Sequence, residues 1–237
     1  MEKYEKLKAI INKSKKIVVF TGAGISVPSG IPDFRSDNGL YNEKRDDFIA
    51  PEEIISHSFF LSNTKQFFEF YGNKMVYKNA KPNIAHKYFA SLDNTIVVTQ
   101  NIDNLHQMAG SKIVYELHGS VKRNYCMRCH KYFDLDDINE KEVNYCECGG
   151  IIKPDVVLYE EPLDDKVVMK AIEAINSCDT LIIVGTSLSV YPAASYIRYF
   201  RGNNLVLINK SKTSYDYLVD LVFNEDVVEV INKIINE

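Results

Sequence analysis

Small residues that follow a buried strand are the first place where this chain can do chemistry. Residues 17–20 are apolar and largely β-branched, and they break at Thr21-Gly22-Ala23-Gly24. A glycine turn between a strand and a helix lets backbone N–H groups close on a pyrophosphate. The same turn also serves as plain strand-to-helix punctuation, and Val27 stands where a G-x-G-x-x-G fingerprint needs its third glycine. A second turn, Ser29-Gly30-Ile31-Pro32, leads into Asp33-Phe34-Arg35, an acid, a ring and a guanidinium for which a surface loop has no structural need. Farther on, His118-Gly119 ends the apolar run 113–117, level with Asn101 and Asp103, which follow the run 95–99. An imidazole suits general-base work near neutral pH, although a histidine at a strand end also serves structure.

The cysteines carry a second chemistry. Cys126 and Cys129 form a C-x-x-C pair, and Cys146 and Cys148 form a C-x-C pair after sixteen intervening residues. Two close pairs at this distance predict a four-thiolate structural zinc site, with Gly149-Gly150 relieving the tighter second pair. Four protein ligands leave no open position for substrate. His130 is an alternative ligand, and a zinc ribbon is also a possible nucleic-acid reader. Acids interleave with the cations Lys122, Arg123, Arg128, Lys131 and Lys141, which favours the structural role. Cys178 stands apart as a small buried hydrophobe.

The elements that must position these groups alternate. Helices are expected over 3–13, 82–92, 164–177, 192–200 and 227–235, and strands over 17–20, 95–99, 113–117, 154–159, 180–184 and 205–208. That alternation predicts an α/β fold, a Rossmann-like doubly wound parallel sheet. Pro51-Glu52-Glu53 reads as a helix start, and the aromatic-rich stretch 58–78 as helices of an insert whose rings pack a core. Residues 120–153 read as short polar turns around the cysteines. One domain is expected. Its Rossmann-like part comprises about 1–35, 82–119 and 154–237, and a small domain is built from the helical insert 36–81 and the zinc module 120–153. Four apolar strands end in small or polar residues, FTGAG, VTQN, VGTS and LIN. Ligands of open α/β sheets bind at such carboxyl ends, though these residues also favour ordinary turns.

Bulk composition limits the classes. The 237 residues are 46% apolar and 25% charged with a net charge of −4, so no general nucleic-acid affinity is expected. No apolar run is long enough to span a membrane, and the amphipathic start MEKYEKLKAIINKSKK lacks a signal core. A cytoplasmic protein is expected, with cysteines as metal ligands or free thiols.

The ordered motifs GAGIS, SGIPDFRS, TQNIDNLH, HG, CxxC…CxC, KPDVVLYEE, GTSLSVYPAA and LIN resemble the sirtuins, the NAD-dependent protein deacylases. The resemblance covers nearly the whole chain. It departs in the C-x-C pair and in YEE, where the family more often reads F-G-E. It implies acyl-lysine cleavage coupled to loss of nicotinamide from NAD, giving free lysine and O-acyl-ADP-ribose. His118 would be the base, Asn101 would position the ribose and a water, and Asp103 would hold the nicotinamide amide. Gly22, Ala23 and Gly24 would take the pyrophosphate, Phe34 would cover the anomeric carbon, and Arg35 would engage phosphate or order its loop. Val27, Asp33, Gln100, Ile102, Gly185, Thr186, Ser187 and Asn209 complete the implied cofactor contacts, with Asp226 and Val227 at the adenine. Val156, Val157, Leu158, Tyr159, Ser189 and Val190 would receive the acylated protein or peptide. Relatives that remove acidic acyl groups resemble one another in a tyrosine followed three residues later by arginine. Here Tyr71 is followed by Lys74, which lacks the bidentate fork, so acetyl or another neutral acyl group is expected. The rival classes are an NAD glycohydrolase or ADP-ribosyltransferase, and a non-catalytic NAD sensor.

Overall fold

The computed structural model describes residues 2–33 and 49–236. Six parallel strands make the main sheet: β1 (Ile17–Thr21), β2 (Thr95–Thr99), β3 (Val114–Glu116), β7 (Thr180–Val184), β8 (Asn204–Ile208) and β9 (Leu221–Phe223). Their spatial order is β3-β2-β1-β7-β8-β9, which places the reversal of strand order between β1 and β7. Both faces of the sheet are covered, and this explains the unbroken apolar runs of its central strands.

Side chains alternate between the two faces. Ile17, Val19, Ile182, Val184, Val206 and Ile208 pack beneath α1 (Glu2–Lys13), α5 (Ile84–Ser91) and α8 (Val227–Asn236). Val18, Phe20, Val98, Leu181, Ile183 and Leu207 pack under α7 (Asp165–Ser177) and a 3-10 stretch, Ala193–Tyr199. Caps fix where helices begin. The Asp164 carboxylate accepts the N–H groups of Lys166 and Val167 at the start of α7. Asn83 accepts from Ala85 at the start of α5, and its amide donates to the Ile25 carbonyl and Ser29 Oγ. A cap of this kind contributes about 1 kcal/mol. This one also ties a helix to the turns that follow β1.

A second, antiparallel sheet is ordered β5-β4-β6, with β4 (Gly119–Cys126), β5 (Tyr132–Asp134) and β6 (Ile152–Val156). It shares a core with α2 (Pro51–Ile54), α3 (His57–Ser62) and α4 (Thr64–Lys74), where Phe60, Phe67, Phe68 and Tyr71 meet Val121, Cys126, Leu135, Cys146, Ile152 and Val156. The rings of Phe60 and Phe67 lie edge-on at 5.0 Å, and Phe67 stacks on Tyr71 at 5.8 Å. The aromatic density of the insert is core packing, as its composition indicates.

Three expectations need correction, and one further strand has no sequence signal. The stretch from 120 contains strand β4, in which Lys122 and Arg123 interrupt the apolar pattern while Ser120, Val121, Asn124 and Cys126 are buried. The strand expected over 154–159 begins at Ile152 and ends at Val156. The helix expected over 192–200 is 3-10 rather than α. Leu221–Phe223, too short to signal itself, forms the sixth parallel strand. The remaining α-helix among the described residues, α6 (Leu105–Met108), is one turn after β2.

Candidate active site

Thr21, Thr99, Val184 and Ile208 are all in register, so four strands end on one level. The turns that follow them interlock at the reversal point. The Gly24 N–H donates to the Gly185 carbonyl at 2.8 Å, and the Gly22 N–H donates to that of Val184 at 3.0 Å. A Cβ on Gly22 would come within 2.7 Å of Thr186 Cβ, and Gly185 has φ +60 against the backbone of Gly24 and Ile25. Only glycine allows two turns to pack so closely, and the packing brings the ends of β1 and β7 to one point. The amides of Gly22 and Gly24 are occupied within the fold, whereas the Ala23 N–H has no partner among the described residues.

The loop after β2 folds over these turns. The Asn101 N–H donates to Thr99 Oγ1 at 3.0 Å, and its side-chain amide donates to the Gly22 carbonyl at 3.1 Å and to Ser26 Oγ at 3.2 Å. Ser26 Oγ in turn donates to Asp103 Oδ2 at 2.6 Å, and Asp103 Oδ1 accepts the Leu105 N–H at 2.9 Å. Burial raises the Asp103 carboxyl above its ordinary value, against these two donations, which favour the charge. Ser26 was not singled out from the sequence. It joins Asn101 to Asp103 and lies in the GAGIS motif.

His118 ends the segment after β3. Its Nδ1 lies 2.8 Å from the Gln100 carbonyl oxygen. A carbonyl only accepts, so Nδ1 carries the proton and Nε2 presents a lone pair. Burial lowers the pKa of the ring below 6.5, with the carbonyl bond opposing. At neutral pH this is a neutral imidazole with a fixed tautomer, the form a general base needs. Behind it, His106 Nε2 lies 3.0 Å from Thr21 Oγ1, which donates to Thr99 Oγ1 at 2.8 Å. His86 meets His106 edge-on at 4.9 Å.

Other candidate residues are placed as follows. Gln100 donates from Nε2 to Thr186 Oγ1 at 3.3 Å, and the Ser187 and Ser189 hydroxyls are 2.6 Å apart. The Ile102 carbonyl accepts the Val121 N–H, and Val190 accepts from Ala194. The Asn209 side-chain amide donates to the Ser211 carbonyl. Val27 is exposed in a 3-10 turn, and Asp33 ends the first described segment. Phe34 and Arg35 lie outside the described residues. Asp226 accepts the Val228 N–H in the first turn of α8, and Val227 is buried in the core, so its side chain offers no surface to a ligand.

The segment after β6 lies beside His118. The Val157 N–H donates to the His118 carbonyl, and Tyr159 exchanges hydrogen bonds with Ile55 and His57, each at 3.0 Å. The YEE departure falls on Glu160, a non-glycine residue with φ +76. His57 contacts Glu161 Oε1 through Nδ1 at 2.7 Å.

Cys126, Cys129, Cys146 and Cys148 place their Sγ atoms within 4.8 Å of one another. The closest pairs, 126–148 and 129–146, are 3.4 and 3.6 Å apart. A disulfide needs about 2 Å, whereas four thiolates around zinc lie about 3.8 Å apart. The donor set and its spacing therefore fit one zinc ion. The Cys129 amide lowers the Cys126 thiol, whereas, against the Lys131 amide, Cys148 and Cys126 raise that of Cys129, as expected of crowded sulfurs that share one charge.

A doubly wound α/β protein with a ligand site at its switch point and a four-cysteine module is the class that this fold and site define. Residues 22–192 match the Sir2 family, and the chain belongs to that family. It is 58% identical, over 99% of both chains, to an NAD-dependent protein deacetylase of Clostridium perfringens. It is 45% identical to one of Staphylococcus epidermidis, over 98% of this chain and 96% of that one. Among solved structures, a Sir2 complex with deacetylated p53 peptide and 3'-O-acetyl ADP ribose superposes with a TM-score of 0.88 at 36% identity, covering 99% and 98% of the two chains. A Sir2 complex with p53 peptide and NAD+ gives 0.84 at 36% identity, with the same coverage.

Proposed function

We propose that this chain is an NAD-dependent protein-lysine deacetylase that cleaves acetyl or another neutral acyl group from lysine. The observation that carries the reading is His118, neutral and locked by the Gln100 carbonyl so that Nε2 faces the site as a base. The packed glycine turns and the open Ala23 amide fit the pyrophosphate of NAD at the strand reversal. Bound NAD supplies a ribose carbon that takes up the acyl oxygen as nicotinamide leaves. His118 Nε2 accepts a proton from a ribose hydroxyl, which makes that oxygen a nucleophile toward the acyl carbon. Asn101 orients the ribose and a water, and Asp103, fixed by Ser26, holds the nicotinamide amide. Thr186, Ser187 and Asn209 line the rest of the dinucleotide site. One water is consumed as the lysine amine departs from the acyl carbon, and the products are free lysine, nicotinamide and O-acetyl-ADP-ribose.

The acylated peptide lies along 156–159 and faces Ser189 and Val190. The Val157 carbonyl, which has no partner among the described residues, is an open acceptor for its backbone. Tyr71 supports the neutral-acyl reading, since its ring is fully buried in the insert core. The main sheet carries NAD, and the helical insert with the zinc module forms a small domain that completes the peptide side. Partners are acetyl-lysine proteins, in the cytoplasm. No helix among the described residues is long and apolar enough to cross a membrane.

The test is nicotinamide release by purified protein from NAD alone, with an acetyl-lysine peptide, and with a succinyl-lysine peptide. Release that requires the acetyl peptide, with one lysine freed per nicotinamide, is expected. Release without peptide would move the chain to the glycohydrolase or transferase class, and no release from zinc-loaded protein would make it a sensor. A higher kcat/KM for the succinyl peptide would overturn the neutral-acyl reading.

A further inference from the structure

The backbone conformation of Glu160 is one that L side chains rarely adopt, at φ +76. The Glu161 N–H closes the turn on the Leu158 carbonyl at 3.0 Å, and the Glu160 side chain ties it to α3. Glu160 Oε2 accepts the Ser58 N–H at 2.8 Å, and Oε1 accepts the Ser58 hydroxyl at 2.9 Å. The next carboxylate is used in the same way. Glu161 Oε2 accepts the Leu158 N–H at 2.8 Å and Lys153 Nζ at 3.1 Å, and Oε1 contacts His57 Nδ1. Lys153 also donates to the Val156 carbonyl at 3.0 Å. Two successive acids thus reach from one turn to two successive residues of α3, His57 and Ser58.

We propose that Glu160, backed by Glu161, is a positioning residue for the acyl-lysine peptide, fastening the turn after the peptide segment to the first turn of α3. This inference rests on the peptide site proposed above. The segment is fastened on both sides. At its start the segment is held by Val157 on the His118 carbonyl, and at its end by Tyr159 on Ile55 and His57. The carboxylate clasp adds to those backbone bonds a side-chain tie between the turn and α3, and releasing it loosens the end of the segment at Tyr159. If Tyr159 shifts, the open Val157 carbonyl moves relative to His118 Nε2, and a bound acyl group loses its place beside the base. The dinucleotide contacts lie on other strand ends and do not move with it.

The discriminating variants separate the backbone from the side chain. Glu160→Gly removes the strain and the clasp together. Glu160→Asn tolerates the same φ but is too short to reach Ser58. Glu160→Gln keeps the length and one acceptor. The peptide KM is expected to rise about tenfold in the Gly and Asn variants, the size of a lost charge-assisted hydrogen bond, with kcat and the KM for NAD within twofold of wild type. The Gln variant is expected to recover most of the loss. Amide hydrogen exchange reads the clasp without turnover: the Tyr159 and Leu158 amides should exchange at least tenfold faster in the Gly variant. A Gly variant with wild-type peptide KM and wild-type exchange overturns the proposal, as does a parallel rise in both KM values. If wild type shows no peptide-dependent turnover, the proposed function fails instead, and the exchange rates alone decide whether the clasp exists.

Discussion

His118 holds one proton on Nδ1 and keeps one lone pair on Nε2, and both facts follow from a single carbonyl oxygen at 2.8 Å. Two outcomes are expected at this residue. His118→Ala should lower peptide-dependent nicotinamide release by on the order of 10²–10⁴, the usual worth of a general base. Because only the neutral ring accepts a proton and burial lowers its pKa, the acid limb of kcat/KM should have its midpoint below 6.5. A limb at or above 6.5 that persists in His118→Ala would assign the titration to another group. The sequence makes His118 legible because an imidazole directly after an apolar strand is conspicuous. Ser26 was not legible, since a serine in a turn has no distinctive signature. Its role is set by Asp103, which approaches it only when β1 and β2 pair.

At the scale of elements, the zinc module and the helical insert are one structure. Cys126 and Cys146 are buried in the core that holds Phe60, Phe67, Phe68 and Tyr71, so the metal ligands and the aromatic rings share their packing. One zinc per chain is expected by metal analysis. Its removal by chelation should melt β4–β6, raise binding of a hydrophobic dye and abolish peptide binding, and zinc should restore all three. Cys146→Ala should reproduce the chelated state; a variant that keeps its Tm and zinc content would contradict the four-thiolate assignment. The cysteine spacing announced this module, but its principal strand was hidden. In β4 the exposed-side residues include Lys122 and Arg123, and Arg123 is drawn in by Glu116 and Asp155, at 2.6 and 2.7 Å. Partners on β3 and β6 are tertiary information that no local pattern contains. The parallel strands were legible for the opposite reason, since burial on both faces leaves an unbroken apolar run.

For the whole molecule, stability between about pH 5 and 6.5 depends on a buried histidine pair, to which His118, also lowered by burial, adds in the same direction. Burial lowers His86 to about 4 and His106 to about 3, the latter also through His86. The unfolded chain binds protons on both as pH falls below 6.5, while the folded chain does not, so stability is lost in that direction. Each group loses about 1.4 kcal/mol per pH unit, so the pair costs about 4 kcal/mol at pH 5. Glu225, lowered to about 2 by Lys3, Tyr4 and Lys233, works the same way only below its ordinary 4.5. Urea midpoints from pH 7.5 to 5 should therefore fall steeply in wild type and less steeply in His86→Leu; equal slopes would refute the assignment. The register of the antiparallel sheet has a further consequence. Gly119 pairs with Val156, so the chain enters and leaves the zinc module through one doorway. In engineering terms, 120–155 is a cassette. Its two ends are already neighbours, so the length between them can change at little entropic cost and without re-registering the six parallel strands. A different metal-binding knuckle grafted at Gly119 and Val156 would keep the parallel register, provided that it also supplied the apolar side chains that Val121, Leu135 and Ile152 give to the core of Phe60, Phe67, Phe68 and Tyr71.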